Sequence, residues 1–201
     1  MIKAVIFDIG GVLSRFERTT QRTRWEQRLG LAAGTLERTI FGSAVAQRGF
    51  VGQASDQEVW DDFGARYHLN AAELETLYQE FWQDAEWDTV LLDEIRALRG
   101  RYRTGVISDA LPGARYEPRV QANVNASLFD VIVISGEEGV RKPAAAIFDK
   151  TLAQLGVQRA EAVFIDDNPQ IIAGARDLGL HGIVFQTRTQ VLAELQQLLA
   201  E

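Results

Sequence analysis

Three short apolar runs, each followed directly by a polar side chain, place the strongest constraint on the fold of this chain. They are Val5-Ile6-Phe7-Asp8, Val106-Ile107-Ser108 and Val163-Phe164-Ile165-Asp166-Asp167. Runs this short and this rich in Val, Ile and Phe are typical of fully buried strands in a parallel sheet. Ligands of open α/β sheets bind at the carboxyl ends of the strands. The sequence therefore predicts that the polar residues after these runs line one crevice.

The chain from Asp88 onward alternates between predicted strands and helices. Strands are expected at 104–108, 131–134, 162–165 and 182–185, and Pro143 is expected in the first turn of a helix that runs to about Leu155. Strands that alternate with helices imply right-handed crossovers. The predicted fold class is α/β, with a Rossmann-like, doubly wound, mainly parallel sheet.

Residues 15–88 interrupt this pattern and are predicted to be entirely helical. Ser55 and Glu58 have the spacing of a capping box, and Asn70 with Glu73 repeats it before the next helix. All four tryptophans of the chain lie in this stretch. The predicted domains are therefore an α/β core of residues 1–14 and 89–201 and an inserted all-helical cap of residues 15–88, whose aromatic residues form a small core of their own.

Composition narrows the possible partners. The 201 residues suit one domain, or one domain with an insertion, and the net charge of −7 argues against nucleic acid or an anionic membrane as partner. The absence of cysteine excludes disulfides, thiolate metal sites and a cysteine nucleophile. No apolar stretch reaches transmembrane length, and Asp8 interrupts the first run too early for a signal peptide. A cytoplasmic protein is expected, and the oligomeric state is left open.

Together with Arg141-Lys142-Pro143, the three runs resemble, in this order, the haloacid dehalogenase (HAD) superfamily, whose members are mostly magnesium-dependent phosphatases. The resemblance covers both ends and the middle of the chain and leaves only residues 15–88 without a motif. It implies Mg²⁺ as cofactor and a small phosphorylated metabolite as substrate. An insertion between the first strand and the second motif matches the helical cap of the family.

The resemblance also implies a role for each polar residue. Asp8 would attack phosphorus to give an aspartyl-phosphate and would give one oxygen to the metal. Ser108 would donate a hydrogen bond to a phosphoryl oxygen, and Lys142, at the start of a helix, would supply a fixed positive charge. Asp167 would bind Mg²⁺ directly, with Asp166 as an assisting carboxylate.

Each of these residues also has a simpler explanation. Asp8 and Ser108 could belong to turns after strands, Asp166 and Asp167 could cap a helix that starts at Asn168, and an exposed lysine is usually only solvated. The four motifs in order favour the functional explanation.

Two neighbours of the motifs are expected to point elsewhere. Asp109 stands where the family often has Asn; because an ionised Asp cannot donate a hydrogen bond, it is expected to turn away and present its backbone N–H. Arg141 is expected to face solvent or to pair with Glu137 or Glu138.

Gly10 departs from the family pattern. Family phosphatases usually carry an aspartate there, which protonates the leaving group and then activates water, whereas Gly10 has only a backbone carbonyl to offer to Mg²⁺. Either another group replaces the missing acid, or the leaving group needs little protonation, or the protein is not a catalyst.

Two alternatives to a phosphatase follow from this departure. A haloacid dehalogenase needs no acid here, but has no use for Mg²⁺ and leaves the Asp166-Asp167 pair unexplained. A phosphate-binding or protein-binding module would have kept the fold and lost turnover.

Overall fold

A central parallel sheet organises the protein, for which a computed structural model describes residues 1–16, 20–83 and 85–200. The strands are β1 (Ala4–Phe7), β2 (Ser14–Phe16), β3 (Ala85–Trp87), β4 (Arg103–Ser108), β5 (Val131–Ile134), β6 (Ala162–Asp166) and β7 (His181–Val184). Five of them form the central sheet in the order β5-β4-β1-β6-β7, with every neighbouring pair parallel.

Helices connect the strands and also form the insertion. They are α1 (Thr20–Arg28), α2 (Leu36–Phe41), α3 (Ala44–Gly49), α4 (Asp56–Arg66), α5 (Ala71–Gln83), α6 (Thr89–Leu98), α7 (Pro118–Asn123), α8 (Ser135–Glu138), α9 (Ala145–Leu155), α10 (Pro169–Asp177) and α11 (Arg188–Ala200). Single turns of 3-10 helix lie at Ala114–Tyr116 and Arg159–Glu161.

The strand order locates the crevice. From β1 at the centre the chain builds outward through β4 and β5, then crosses back to add β6 and β7 on the other side. The direction in which strands are added to the sheet therefore reverses at β1, between β4 and β6. In open α/β sheets such a switch point leaves a crevice at the carboxyl ends of the strands. This topology confirms the predicted Rossmann-like, doubly wound sheet.

Both faces of the sheet are covered by helices, because successive side chains of a strand point to opposite faces. Val5 and Phe7 of β1 belong to the apolar cluster that includes residues of α6 and α11, whereas Ala4 and Ile6 belong to the cluster with residues of α9 and α10. All four are fully buried. The first strand is thus held on both faces, and its end cannot move without disturbing two cores.

Helix α9 begins later than the sequence predicted. Pro143 was expected in its first turn, but the helix starts at Ala145, and Ala144 before it is extended with ψ 135°. The prediction was wrong because an extended residue separates the proline from the helix. Lys142 accordingly lies in a turn, three residues before α9, and not at the start of a helix.

The five helices α1–α5, called the cap below, surround an aromatic core of their own. The ring of Trp60 packs edge-on against Tyr78 and Phe81, with centroid distances of 5.0 and 5.5 Å. The capping boxes predicted at Ser55 and Asn70 are both present. Leu111, from the loop after β4, is buried in the same cluster. The cap therefore packs directly on the loops at the carboxyl end of the sheet.

The insertion is not entirely helical, which corrects the prediction for residues 15–88. Strands β2 and β3 pair antiparallel at its two ends, with Ser14 opposite Trp87 and Arg15 opposite Glu86. The chain passes between core and cap twice, and the two segments lie side by side, so their backbones pair. Sequence could not reveal these strands, because three residues are too few to show an alternating pattern. The division of the chain into core and cap domains stays a prediction. Residues 17–19 and 84 of the predicted cap and residue 201 of the predicted core lie outside the described residues.

None of the helices in the described part of the chain combines the length and the apolar character needed to span a membrane.

Candidate active site

The register of the sheet brings the predicted polar residues together. Phe7 of β1 lies opposite Val106 of β4 on one side and Ile165 of β6 on the other. The backbone N–H of Asp8 continues this pairing by donating to the carbonyl of Ile165 at 2.9 Å. Asp8 therefore lies level with Asp166, the last residue of β6.

Ser108 completes the edge on the other side, since it is the last residue of β4 and is buried. The strand order places the ends of β4, β1 and β6 side by side at one edge of the sheet. That their polar residues line one crevice stays a prediction.

Lys142 joins two of these carboxylates. Its Nζ lies 3.0 Å from Asp8 Oδ1 and 2.7 Å from Asp166 Oδ2, and its side chain is only 1% exposed. A buried ammonium is costly unless it is paired and hydrogen-bonded. The two carboxylates provide that pairing, so the lysine is fixed at the end of β1 and is not a solvated surface residue.

The charges of this group shift one another's pKa. Burial raises the pKa of Asp8 to about 7, and the charge of Lys142 opposes this while that of Asp166 adds to it. For Lys142, burial alone would lower the pKa, but the charges of Asp8, Asp166 and Asp109 outweigh burial and raise it. The lysine is consequently charged at neutral pH, and burial makes Asp8 harder to ionise than an exposed aspartate.

Three carboxylates converge beside this lysine. One oxygen from each of Asp8, Asp166 and Asp167 lies within 4.8 Å of the other two. Burial and the charge of Asp166 raise the pKa of Asp167. One ammonium leaves this cluster with an excess of negative charge that a divalent cation would neutralise. Carboxylate oxygens are the ligands that Mg²⁺ prefers, so the donor set fits this metal.

Gly11 allows Asp167 to take its place in the cluster. Gly11 has φ +76°, and a Cβ built on it would lie 2.2 Å from Asp167 Oδ2. The turn is closed by the N–H of Gly11, which donates to the carbonyl of Ser14 at 2.8 Å. Gly10 differs, because a Cβ there meets nothing within 4 Å and its φ is not in the left-handed region. Gly11 is thus required by geometry, whereas Gly10 leaves open space.

Comparison with known proteins identifies the family of the chain. Residues 2–179 match a family model described as a haloacid dehalogenase-like hydrolase. The chain belongs to this family. It is a HAD-like hydrolase.

A curated relative of similar length matches nearly the whole chain. The sesquiterpene phosphatase astK of Aspergillus oryzae is 24% identical, and the match covers 98% of this chain and 96% of the relative. Two other curated relatives are longer proteins, of which the chain spans 36% and 19%.

Solved structures share the fold. A predicted HAD-like hydrolase from Porphyromonas gingivalis superposes with a TM-score of 0.77 at 24% identity, covering 100% of this chain and 99% of that one. A HAD family enzyme from Bacteroides thetaiotaomicron, solved in complex with magnesium and inorganic phosphate, gives 0.74 at 17% identity over 95% of this chain and 99% of that one.

In this HAD-like hydrolase, Arg141 corrects a prediction from sequence. Its partners are not Glu137 and Glu138, which pair with Arg115 and Lys150. The Nε of Arg141 instead donates to Asp109 Oδ2 at 3.1 Å, while the backbone N–H of Lys142 donates to Asp109 Oδ1 at 3.1 Å. The carboxylate of Asp109 is thus directed toward the 141–142 turn. Charge spacing along the sequence could not show this pairing, because it spans 32 residues.

Sequence reasoning also missed two residues that bear on the site of this hydrolase. Ser135, the first residue of α8 after β5, is fully buried, and its Oγ accepts a hydrogen bond from the N–H of Ala110 at 3.1 Å, which supports the loop after Ser108. Glu37 extends from α2 of the cap. Burial raises its pKa, Arg22 opposes this, and the charge of Asp167 raises it further. Glu37 therefore lies within electrostatic range of Asp167 in the carboxylate cluster, although no motif marks it.

Proposed function

We propose that this HAD-like hydrolase is a Mg²⁺-dependent phosphatase that acts on a small phosphorylated metabolite through an aspartyl-phosphate on Asp8. One observation carries the proposal. Asp8, at the end of the central strand, is in contact with the ammonium of Lys142 and is part of a cluster of three carboxylates. A nucleophile, a fixed positive charge and a place for a divalent cation are the requirements of phosphoryl transfer.

The residues assigned to the metal are Asp8, Asp167 and the backbone carbonyl of Gly10, with Asp166 assisting. Bound there, Mg²⁺ would neutralise charge on the phosphoryl oxygens. Asp166 is fully buried, and its carboxylate accepts hydrogen bonds from Lys142 Nζ and from the backbone N–H of Asn168. These two bonds fix its side chain, so it can hold Lys142 in position. Support from relatives is the name of the Aspergillus phosphatase and the magnesium and phosphate in the Bacteroides structure.

The first chemical step forms a bond between a carboxylate oxygen of Asp8 and phosphorus. The bond from phosphorus to the leaving oxygen breaks, and that oxygen departs with the electron pair and requires a proton. Lys142 favours the ionised, nucleophilic form of Asp8 by its charge. The hydroxyl of Ser108 donates a hydrogen bond to a phosphoryl oxygen and orients the group.

The second step returns the enzyme to its starting state. A water oxygen bonds to phosphorus and loses a proton, the bond from phosphorus to Asp8 breaks, and the carboxylate and inorganic phosphate are released. Gly10 has no side chain that could act as general acid in the first step or as general base in the second. Substrates whose leaving group is a weak base are therefore the ones this site can turn over fastest.

The test is turnover of a panel of phosphate esters and acyl phosphates with Mg²⁺ and with EDTA. Turnover that requires Mg²⁺ and disappears in Asp8→Asn supports the proposal. Full activity on haloacids in EDTA would favour the dehalogenase, and tight phosphate binding without any turnover would favour a binding module.

A further inference from the structure

The side chain of Arg141 crosses from the core to the cap. Its Nε donates to Asp109 Oδ2 at 3.1 Å in the core, and its Nη1 donates to Gln47 Oε1 at 2.7 Å on α3. The guanidinium carbon also lies 5.0 Å from the ring centroid of Phe50, just beyond α3. One side chain thus makes three contacts, two of them with the cap.

The cap partner is held in the orientation that this contact needs. Gln47 Nε2 donates to the carbonyl of Phe41 at 2.9 Å, which turns the amide oxygen toward Arg141. Gln47 itself is exposed, so it contributes little to the apolar core of the cap.

Asp109, the partner of Arg141 in the core, also bonds to the backbone of Lys142. While Asp109 Oδ2 accepts from Arg141, Asp109 Oδ1 accepts from the backbone N–H of Lys142 at 3.1 Å. The Nζ of the same lysine lies 3.0 Å from Asp8 Oδ1. A continuous series of direct contacts therefore joins the cap to the proposed nucleophile.

Close packing surrounds this series. A Cβ on Gly49 would lie 2.5 Å from the side chain of Leu111, and one on Gly52 would lie 2.6 Å from the carbonyl of Gly136. Glycine at both positions lets the cap backbone approach the loop after β4 and helix α8. The contact of Arg141 with Gln47 is thus one part of a cap surface that is seated on the core.

We propose that Arg141 is a positioning residue, which ties Lys142 to the seated cap through Asp109. When the cap is seated, Gln47 orients Arg141, Arg141 orients Asp109, and Asp109 holds the turn from which Lys142 reaches Asp8. This role rests on the proposed function, because it assumes that Lys142 acts on a reacting Asp8.

Arginine suits this task better than lysine would. Its planar guanidinium presents several N–H donors in fixed directions, so Nε and Nη1 donate to two acceptors at once. A lysine ammonium is a single point charge on a flexible stem. Arg141→Lys should keep the charge and lose one of the two contacts. A role limited to charge would be rescued by this variant, and a role in positioning would not.

The first experiment uses the full chain without substrate and measures amide hydrogen exchange at Lys142. Gln47→Ala removes the cap end of the series, and the expected result is roughly 10-fold faster exchange at the Lys142 N–H, since its bond to Asp109 opens more often. Gln57→Ala is the matched control, because Gln57 is a cap glutamine whose Nε2 donates to Asp61 Oδ1 within its own helix, at 2.8 Å. Unchanged exchange in Gln47→Ala, or equal acceleration in the control, overturns the proposal.

The second experiment measures kcat and KM with Mg²⁺ and nitrophenyl phosphate. Gln47→Ala and Arg141→Lys should each lower kcat by ~10- to 10²-fold, the scale expected for a misplaced catalytic group. The double variant should be no slower than the slower single variant, because both changes break the same series. Multiplied losses, or a change in KM alone, overturn the proposal. If the wild type turns over no phosphate, the proposed function fails, and the exchange experiment still decides whether the cap positions Lys142.

Discussion

Gly11 and Asp167 approach each other so closely that a Cβ on Gly11 would lie 2.2 Å from Asp167 Oδ2. The two residues come from opposite ends of the chain, one after β1 and one after β6. Because Asp167 is one of the three carboxylates of the cluster, the absence of a side chain at Gly11 leaves room for a proposed metal ligand.

Replacement of Gly11 should therefore do more damage than replacement of its neighbour. Gly11→Ala places a side chain at φ +76° and against Asp167, so we expect a loss of about 1–3 kcal/mol in the free energy of unfolding and weaker Mg²⁺ binding. Gly10→Ala, which meets open space, should change stability by no more than about 0.5 kcal/mol. Urea denaturation of both variants measures the difference, and equal losses would contradict the geometry.

Asp167→Ala tests the metal assignment. It should abolish Mg²⁺-dependent turnover, because Asp167 is a proposed direct ligand, and it should leave the fold intact. The pKa of Asp167 is raised by burial and by Asp166, so its removal relieves repulsion and should raise the melting temperature in EDTA. Unaltered turnover in this variant would exclude Asp167 as a ligand.

Asp8→Asn tests the nucleophile. The amide keeps the size of the carboxylate but lacks its attacking charge, so turnover should fall to background. In the wild type, beryllofluoride with Mg²⁺ should form an adduct on Asp8, visible by ¹⁹F NMR, and Asp8→Asn should form none. An adduct that persists in the variant would place the chemistry on another residue.

Asp8 should also make stability depend on pH when no metal is bound. Its pKa is raised from 3.8 to about 7 in the folded protein, so the folded state holds this proton more tightly than the unfolded state. The resulting stabilisation is complete below pH ~4 and is lost as the pH rises through ~7. The raised pKa of Lys142 has no effect in this window, since its ordinary value is 10.5.

Unfolding in EDTA between pH 5 and 8 measures this effect. The free energy of unfolding should fall with rising pH in the wild type and fall less in Asp8→Asn. Because Mg²⁺ competes with the proton for the carboxylate, stabilisation by added Mg²⁺ should grow over the same range. Identical slopes in the two proteins would show that Asp8 is not the titrating group.

The strand ends could be predicted from sequence because a buried strand has a local signature. Asp8, Ser108 and Asp166 follow apolar runs, and the topology of a doubly wound sheet alone places them together. Contacts between side chains far apart in the chain have no such signature. The link from Arg141 to Gln47 spans 94 residues and depends on how the cap is seated.

The roles of Gly10 and Gly11 likewise could be predicted only in part from sequence. The Gly10-Gly11 pair predicts a tight turn, but which glycine is required depends on the position of Asp167, more than 150 residues away. The pairing of β2 with β3 was missed for a related reason, since it depends on two crossings that meet only in the folded protein.

The missing acid at Gly10 leads to the last prediction. Without a proton donor, the bond from phosphorus to a poor leaving group must break with charge building up on the departing oxygen. Nitrophenyl and acyl phosphates, whose leaving groups are weak bases, should be turned over much faster than alkyl or sugar phosphates. The rate should therefore depend steeply on the pKa of the leaving group, which a series of substituted phenyl phosphates would measure.

Gly10→Asp should flatten this dependence. The structure favours the variant, because a Cβ at Gly10 meets nothing within 4 Å and the backbone is not in the left-handed region. A restored acid should help poor leaving groups most, by up to the ~10² to 10⁴ that general acid catalysis contributes. Gly10→Asn is the matched control, since it has the same size without an acidic proton and should gain nothing. A flat dependence in the wild type would show that another group already donates the proton, and Glu37→Gln would then test the cap carboxyl whose pKa is raised by burial and by the charge of Asp167.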